Sequence, residues 1–281
     1  MNSKIPMSRF YTVAGALIGF ICLSASSSQA QTFLSEGFEG TTWPANQQLT
    51  GTAFTGTDGN AWKGNDNNNS ASLVVQSKTT TAAPGGSQSL FIRDGSGSAS
   101  PFAQVDWGTT ISNGGYFEFS FRNASSAGTS TTTGNYGVTF INTGGSTINF
   151  KFLFSDTAGF QLTNSAGTAL KTVTYAAAGY TPGSWVTFRV NFNETDNTAS
   201  VALNGTSIAG LSIAAGEADG TLWQAGKVQI TAGSNAAFGI GGYFDNVTAA
   251  IPEPSTSAAV LGALALFATA GYQKSRKAGR T

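Results

Sequence analysis

Phenylalanine at every second position, in stretch after stretch, constrains this chain more than any other feature. "YFEFSFR" sets Phe117, Phe119 and Phe121 on one side and Tyr116, Glu118, Ser120 and Arg122 on the other. "INFKFLF" aligns Ile148, Phe150, Phe152 and Phe154, and "WVTFRVNF" aligns Val186, Phe188, Val190 and Phe192 opposite Trp185, Thr187, Arg189 and Asn191. A period of two belongs to a strand with one buried face; a helix would scatter the same rings around its circumference. "ASVALNG" carries the alternation through Ala199, Val201 and Leu203 to Asn204-Gly205, a strong hairpin signal because both turn positions need positive φ. Further strand candidates are Ser89–Arg93, Phe102–Trp107, Tyr136–Ile141, Leu170–Tyr175, Lys227–Thr231 and Gly239–Thr248. Helical period is nearly absent, with one short candidate over Leu211–Ala218.

About a dozen short strands with one apolar face each pack as two antiparallel sheets. The expected fold is all-β, a two-sheet jelly-roll sandwich over residues 31–250. Its 36 glycines disfavour helix, and 20 phenylalanines supply a core. Charged residues are sparse and net charge is zero, yet both chain ends are basic. Between Gln31 and Ala250, 13 acidic residues face 8 basic ones, a net of −5. Such a body offers no basic stripe to replace counterions on phosphates, so nucleic acid is not an expected partner. The sequence has no histidine, which removes the commonest general base and zinc ligand. Its one cysteine, Cys22, lies in the first apolar run.

That run reads as a secretory signal peptide over residues 1–30. Lys4 and Arg9 precede an uncharged stretch, Tyr11–Leu23, too short for an ordinary membrane span. Small residues at Ser28 and Ala30 place the cut between Ala30 and Gln31. At the other end, Ser255–Gln273 is uncharged and of spanning length, and Lys274, Arg276, Lys277 and Arg280 follow. The positive-inside bias puts that cluster in the cytoplasm and the body on the outer side. A plain C-terminal anchor is one reading of this pattern.

A second reading comes from Pro252-Glu253-Pro254. Each proline fixes its own φ and extends the residue before it, leaving a stiff strip suited to a protease groove. Ile251-Pro252-Glu253-Pro254-Ser255, the hydrophobic helix at about 255–273 and the basic tail at 274–280 resemble the PEP-CTERM sorting signal of Gram-negative bacteria. Ile251 departs mildly from the usual valine. The resemblance implies an exosortase-type processing enzyme as partner and transient anchoring in the inner membrane facing the periplasm. It further implies release to the cell surface, in association with exopolysaccharide, biofilm or another matrix glycan.

The body carries a looser resemblance. "GSWVTFRVNFNETDNTASVALNG" resembles the strand–turn–strand signature of concanavalin A-like (laminin-G-like) domains, and "SEGFEG" and "GYFDNVTA" resemble the first and last strands of such jelly rolls. The resemblance implies that these terminal strands pair. It also implies a structural Ca²⁺ near Glu36, Glu39 and Asp245; the alternative is that these carboxylates are solvated or cap turns. "NDNNNS" at Asn65–Ser70 is a weaker source of calcium ligands.

No enzyme is expected. A jelly-roll glycosidase needs two carboxylates about the scissile bond, and Glu118 stands alone on its strand; a serine triad lacks its histidine. Carbohydrate binding is the leading expectation, with aromatic faces stacking on sugar rings. Trp62 with neighbouring Asn65 and Asp66, and Trp43, are the expected contacts, against the alternative that each tryptophan is core. Glu118, Arg122, Lys151 and Arg189 read as either a solvated face or a groove floor. The other functional readings are a purely structural or adhesive surface protein, and a polysaccharide-acting glycosidase.

Overall fold

The computed structural model describes residues 31–39, 47–48, 54–65, 73–77, 84, 86–93, 101–108, 114–125, 128–129, 135–143, 145–155, 157–218, 223–232 and 240–251. In chain order the strands are β1 (Gln31–Glu36), β2 (Gln47–Gln48), β3 (Phe54–Thr55), β4 (Ala61–Asn65), β5 (Leu73–Ser77), β6 (Gln88–Arg93), β7 (Phe102–Asp106), β8 (Gly115–Ser125) and β9 (Gly128–Thr129). They continue with β10 (Tyr136–Asn142), β11 (Ile148–Ser155), β12 (Gly159–Thr163), β13 (Ala169–Val173), β14 (Val186–Asn193), β15 (Thr198–Leu203), β16 (Thr206–Ile213), β17 (Ala225–Ala232) and β18 (Ile240–Ile251). Among the described residues there is no helix.

The strands form two sheets. One runs β16-β15-β14-β8-β18-β6-β5-β2, with β1 also on β18 and β9 on β8; the other runs β13-β12-β11-β10-β17-β7-β4-β3. The first and last strands therefore pair within one sheet.

The alternating phenylalanines meet between the sheets. Phe117, Phe119 and Phe121 of β8 and Phe150, Phe152 and Phe154 of β11 are all buried. Rings interdigitate across the gap: Phe121 lies 4.7 Å from Phe154, Phe188 5.1 Å from Phe154, and Phe192 5.4 Å from Phe140. Each contributes up to about 3 kcal/mol by burial. The sandwich is also clasped at one end. The β14–β15 turn holds Glu194, which accepts a hydrogen bond from the Ala225 amide at the start of β17, and Asn197, whose Oδ1 accepts from Trp223 N at 3.0 Å. Burial pushes the Glu194 carboxyl up to about 8, with the Ala225 N–H working the other way.

The helical expectation over Leu211–Ala218 is corrected. Strand β16 runs to Ile213 and a turn follows. Leu211 and Ile213 enter the core while Ser212 is exposed, so tertiary burial at period two overrides the helix propensity of the alanines. Glu217 then closes the turn, its carboxylate accepting from Ala214 N at 2.8 Å and from Lys171 Nζ at 2.7 Å.

Candidate functional site

The outer face of the eight-stranded sheet follows from what its strands bury. Tyr136, Val138 and Phe140 point to the core, so Gly137 and Thr139 point away; by the same alternation Lys151, Thr163, Gln229, Gln104 and Lys63 face outward on β11, β12, β17, β7 and β4. Register then aligns them. Thr163 stands opposite Lys151, Lys151 opposite Thr139, Thr139 opposite Gln229, Gln229 opposite Gln104, and Gln104 opposite Lys63. The result is one polar row across six strands, recessed along its length where Thr163 is 1%, Thr139 5% and Gln104 9% exposed.

Beside this row lies a depression of about 260 Å³ lined by Asn135, Gly137, Leu153, Ser155, Gln161 and Thr231. Gly137 makes room for it. A Cβ there would stand 2.8 Å from Thr231 Oγ1 and 3.0 Å from Leu153 Cδ2. Amides and hydroxyls with short apolar patches between them present both donors and acceptors, a surface suited to a polyol chain lying across the strands.

The outer face of the other sheet is differently disposed. Glu118 and Arg189 pair at 2.7 Å, and the Arg189 guanidinium lies 4.2 Å over the Tyr116 ring. Arg122 is buried and donates from Nε to Gly183 O at 2.8 Å. A depression of about 290 Å³ lies along β14–β16, between Asn191, Asn193, Ser200 and Ser212. On this face the charged groups and the Tyr116 ring already satisfy one another. Glu118, Arg122 and Arg189 thus belong to one sheet and Lys151 to the other, so the four do not floor a common groove.

The structure corrects the expectation for Trp62. It is fully buried on β4, opposite Val105, and packs edge-on against Phe38 at 5.1 Å. The alternation of exposed Ala61 and Lys63 turns its ring inward, away from any sugar. Asn65 ends β4 opposite Phe102. Trp43, Asp66, residues 1–30 and Pro252, Glu253, Pro254 and Ser255 lie outside the described residues; Gln31 opens β1 and Ile251 closes β18. No described helix is long and apolar enough to cross a membrane.

Two of the three carboxylates implied for calcium are held by backbone amides and a hydroxyl, and the third lies on β18. Glu36 is buried and accepts from Phe38 N at 2.7 Å, Thr57 N at 2.6 Å and Thr57 Oγ1 at 2.9 Å. Glu39 accepts from Ser87 N, Ser87 Oγ and Gln88 N at 2.7, 3.0 and 2.8 Å, pinning the approach to β6. Asp245 is buried on β18 opposite Ser120. Among the described residues no group of three or more His, Cys, Asp or Glu side chains is gathered for a metal.

No family model matches the chain, and no curated protein matches it in sequence. Solved structures do resemble it. One is "Cellulose induced protein, Cip1", with TM-score 0.54 and 15% identity over 77% of this chain and 96% of that one. Another is the carbohydrate recognition domain of Emp47p, with TM-score 0.50 and 12% identity over 81% of this chain and 99% of that one. The fold is a jelly roll of their kind. At such identities the likeness is one of architecture, and it carries no residue from those proteins to this chain.

Proposed function

We propose that this chain is an exported, non-enzymatic glycan-binding protein, carried by its C-terminal sorting signal to an extracellular polysaccharide matrix. The observation that carries the binding reading is the polar row Thr163–Lys151–Thr139–Gln229–Gln104–Lys63 beside the Gly137 depression. The similar structures, one of a cellulose-induced protein and one of a carbohydrate recognition domain, support it as analogy. Export rests on the sequence of residues 1–30, and sorting on Ile251–Ser255 with the apolar stretch and basic tail that follow. Exosortase-type processing would release the body from the inner membrane.

The test is a polysaccharide pull-down with the full chain, repeated with Gln104→Ala/Gln229→Ala. The double variant removes two planar amides at the centre of the row and should weaken retention about tenfold, or roughly 1.4 kcal/mol. Retention unchanged by it would move the site off this face, and no retention on any matrix polymer would end the reading. The carboxylate pair of a glycosidase is not what this reading needs: Glu118 is held by Arg189. Reducing-sugar release abolished by Glu118→Gln would reverse it.

Calcium enters as part of the same proposal, with Glu36 and Asp245 as carboxylate ligands. Glu36 is a buried carboxylate whose described hydrogen-bond donors are all neutral, a setting in which a cation offsets the cost of burying charge. Three of its about four lone-pair directions are taken, leaving one for a metal. Neutral oxygens would have to complete the six to eight that calcium takes. Chelator should lower the melting midpoint of the chain and leave that of Glu36→Gln unmoved. A wild-type midpoint indifferent to chelator discards the ion.

A further inference from the structure

The charge on the outer face of the eight-stranded sheet says more about the ligand than its hydroxyls and amides do. Three cations of the described residues are neutralised in place: Lys171 by Glu217 at 2.7 Å, Arg189 by Glu118 at 2.7 Å and Lys227 by Asp106 at 3.2 Å. Arg122 is buried and spends its Nε on the Gly183 carbonyl. Lys63 and Lys151 have no ion pair among the described residues. Both stand on the single polar row, separated by Gln104, Gln229 and Thr139.

That row holds no carboxylate. The acid nearest it by register is Asp106, two residues along β7 from Gln104, and Lys227 occupies it. In a body with a net charge of −5, two ammonium groups without an ion pair among the described residues thus stand on one row that holds no acid of its own. Four inter-strand steps separate them, roughly 19 Å at about 4.8 Å a step. That is a span for several linked sugar rings, not for a single monosaccharide. A neutral glycan would leave both charges unused. A polymer with acid groups along its length would meet each lysine with a charge-assisted hydrogen bond while its hydroxyls engage Gln104, Gln229 and Thr139 between them.

We propose that the polymer bound on this face is an acidic polysaccharide, lying across the strands with its negative groups on Lys63 and Lys151. The proposal rests on the glycan-binding reading of the same face and specifies its ligand class. The full chain is immobilised, and affinity is measured for polygalacturonate, for the same polymer with its carboxyls reduced to alcohols, and for dextran sulfate against dextran. The acidic form should bind about tenfold or more tightly than its neutral counterpart, and whichever acidic polymer binds more tightly identifies carboxylate or sulfate as the acid. The preference should vanish in Lys63→Gln/Lys151→Gln, with melting unchanged, and in about 0.5 M NaCl, where the screening length falls well below 10 Å. Equal binding of acidic and neutral polymers, or a preference that survives the double variant, overturns the acidic assignment while leaving the glycan reading intact. Binding of none of the four overturns both.

Discussion

Glu194 shows how one buried carboxyl writes itself into the behaviour of the molecule. It lies in the β14–β15 turn, 5% exposed, and joins the sheets through Ala225. Its ordinary value near 4.5 is raised by burial to about 8 in the folded chain, so the fold prefers the protonated acid. A group raised in this way contributes its full stability below about 4.5 and loses it as pH climbs through about 8. The melting midpoint should therefore fall between pH 5 and pH 9. Glu194→Gln, neutral throughout, should match wild type at the acid end and exceed it at the alkaline end. Two parallel curves would show that the carboxyl is ionised at no cost. Glu217 acts in the opposite sense: Ala214 N–H and Lys171 lower its carboxyl, so its contribution is lost on acidification below its ordinary value near 4.5. The stability gained on acidification should stop there.

At the scale of strands and turns, two glycines separate backbone strain from steric clash. Gly205 sits with Asn204 in the β15–β16 hairpin, at φ of 79° and 48°, and a Cβ on Gly205 would meet nothing within 4 Å. Gly159 opens β12 at φ of 94°, where a Cβ would press on the Val173 carbonyl and stand 2.8 Å from Thr174 Cα. Gly205→Ala should cost about 1 kcal/mol by chemical denaturation, from the left-handed backbone alone. Gly159→Ala should cost roughly 3 kcal/mol, because the β12–β13 pairing must also shift. Equal costs would mean that the approach of β13 to Gly159 is looser than described. The contrast between these sites also marks how far a sequence can be read. Asn204-Gly205 announces its turn, and the phenylalanines of β8, β11 and β14 announce their buried faces, because both signals are local. The burial of Trp62 is not announced in the sequence, because the strand that buries it is five residues long and carries glycine and asparagine. The row from Thr163 to Lys63 was not legible at all. Its members are ordinary outward residues of six strands, and only register between strands distant in sequence brings them into line.

The sandwich closes through its first and last strands. Strand β1 opens at Gln31, the residue after the expected signal cut, and pairs with β18, which runs to Ile251, the residue before Pro252. No spacer in the sequence separates the last strand from the Pro252-Glu253-Pro254 stretch proposed for processing. Ala249 and Ala250 are buried, and Thr248, Ala249 and Ala250 pair with Glu118, Phe117 and Tyr116 of β8. A cut within 252–255 spares every one of these pairs, whereas a cut four residues earlier removes them from the strand that anchors β1. A chain of residues 31–251 should therefore melt at the midpoint of one that continues to Thr281. A chain of residues 31–247 should lose roughly 3 kcal/mol or more, from three ladder pairs and two buried alanines. If the first of these failed to fold, residues 252–281 would be part of what holds the sandwich together. Removing those residues would then cost the body its fold, and the sorting reading would give way to that of a permanent anchor.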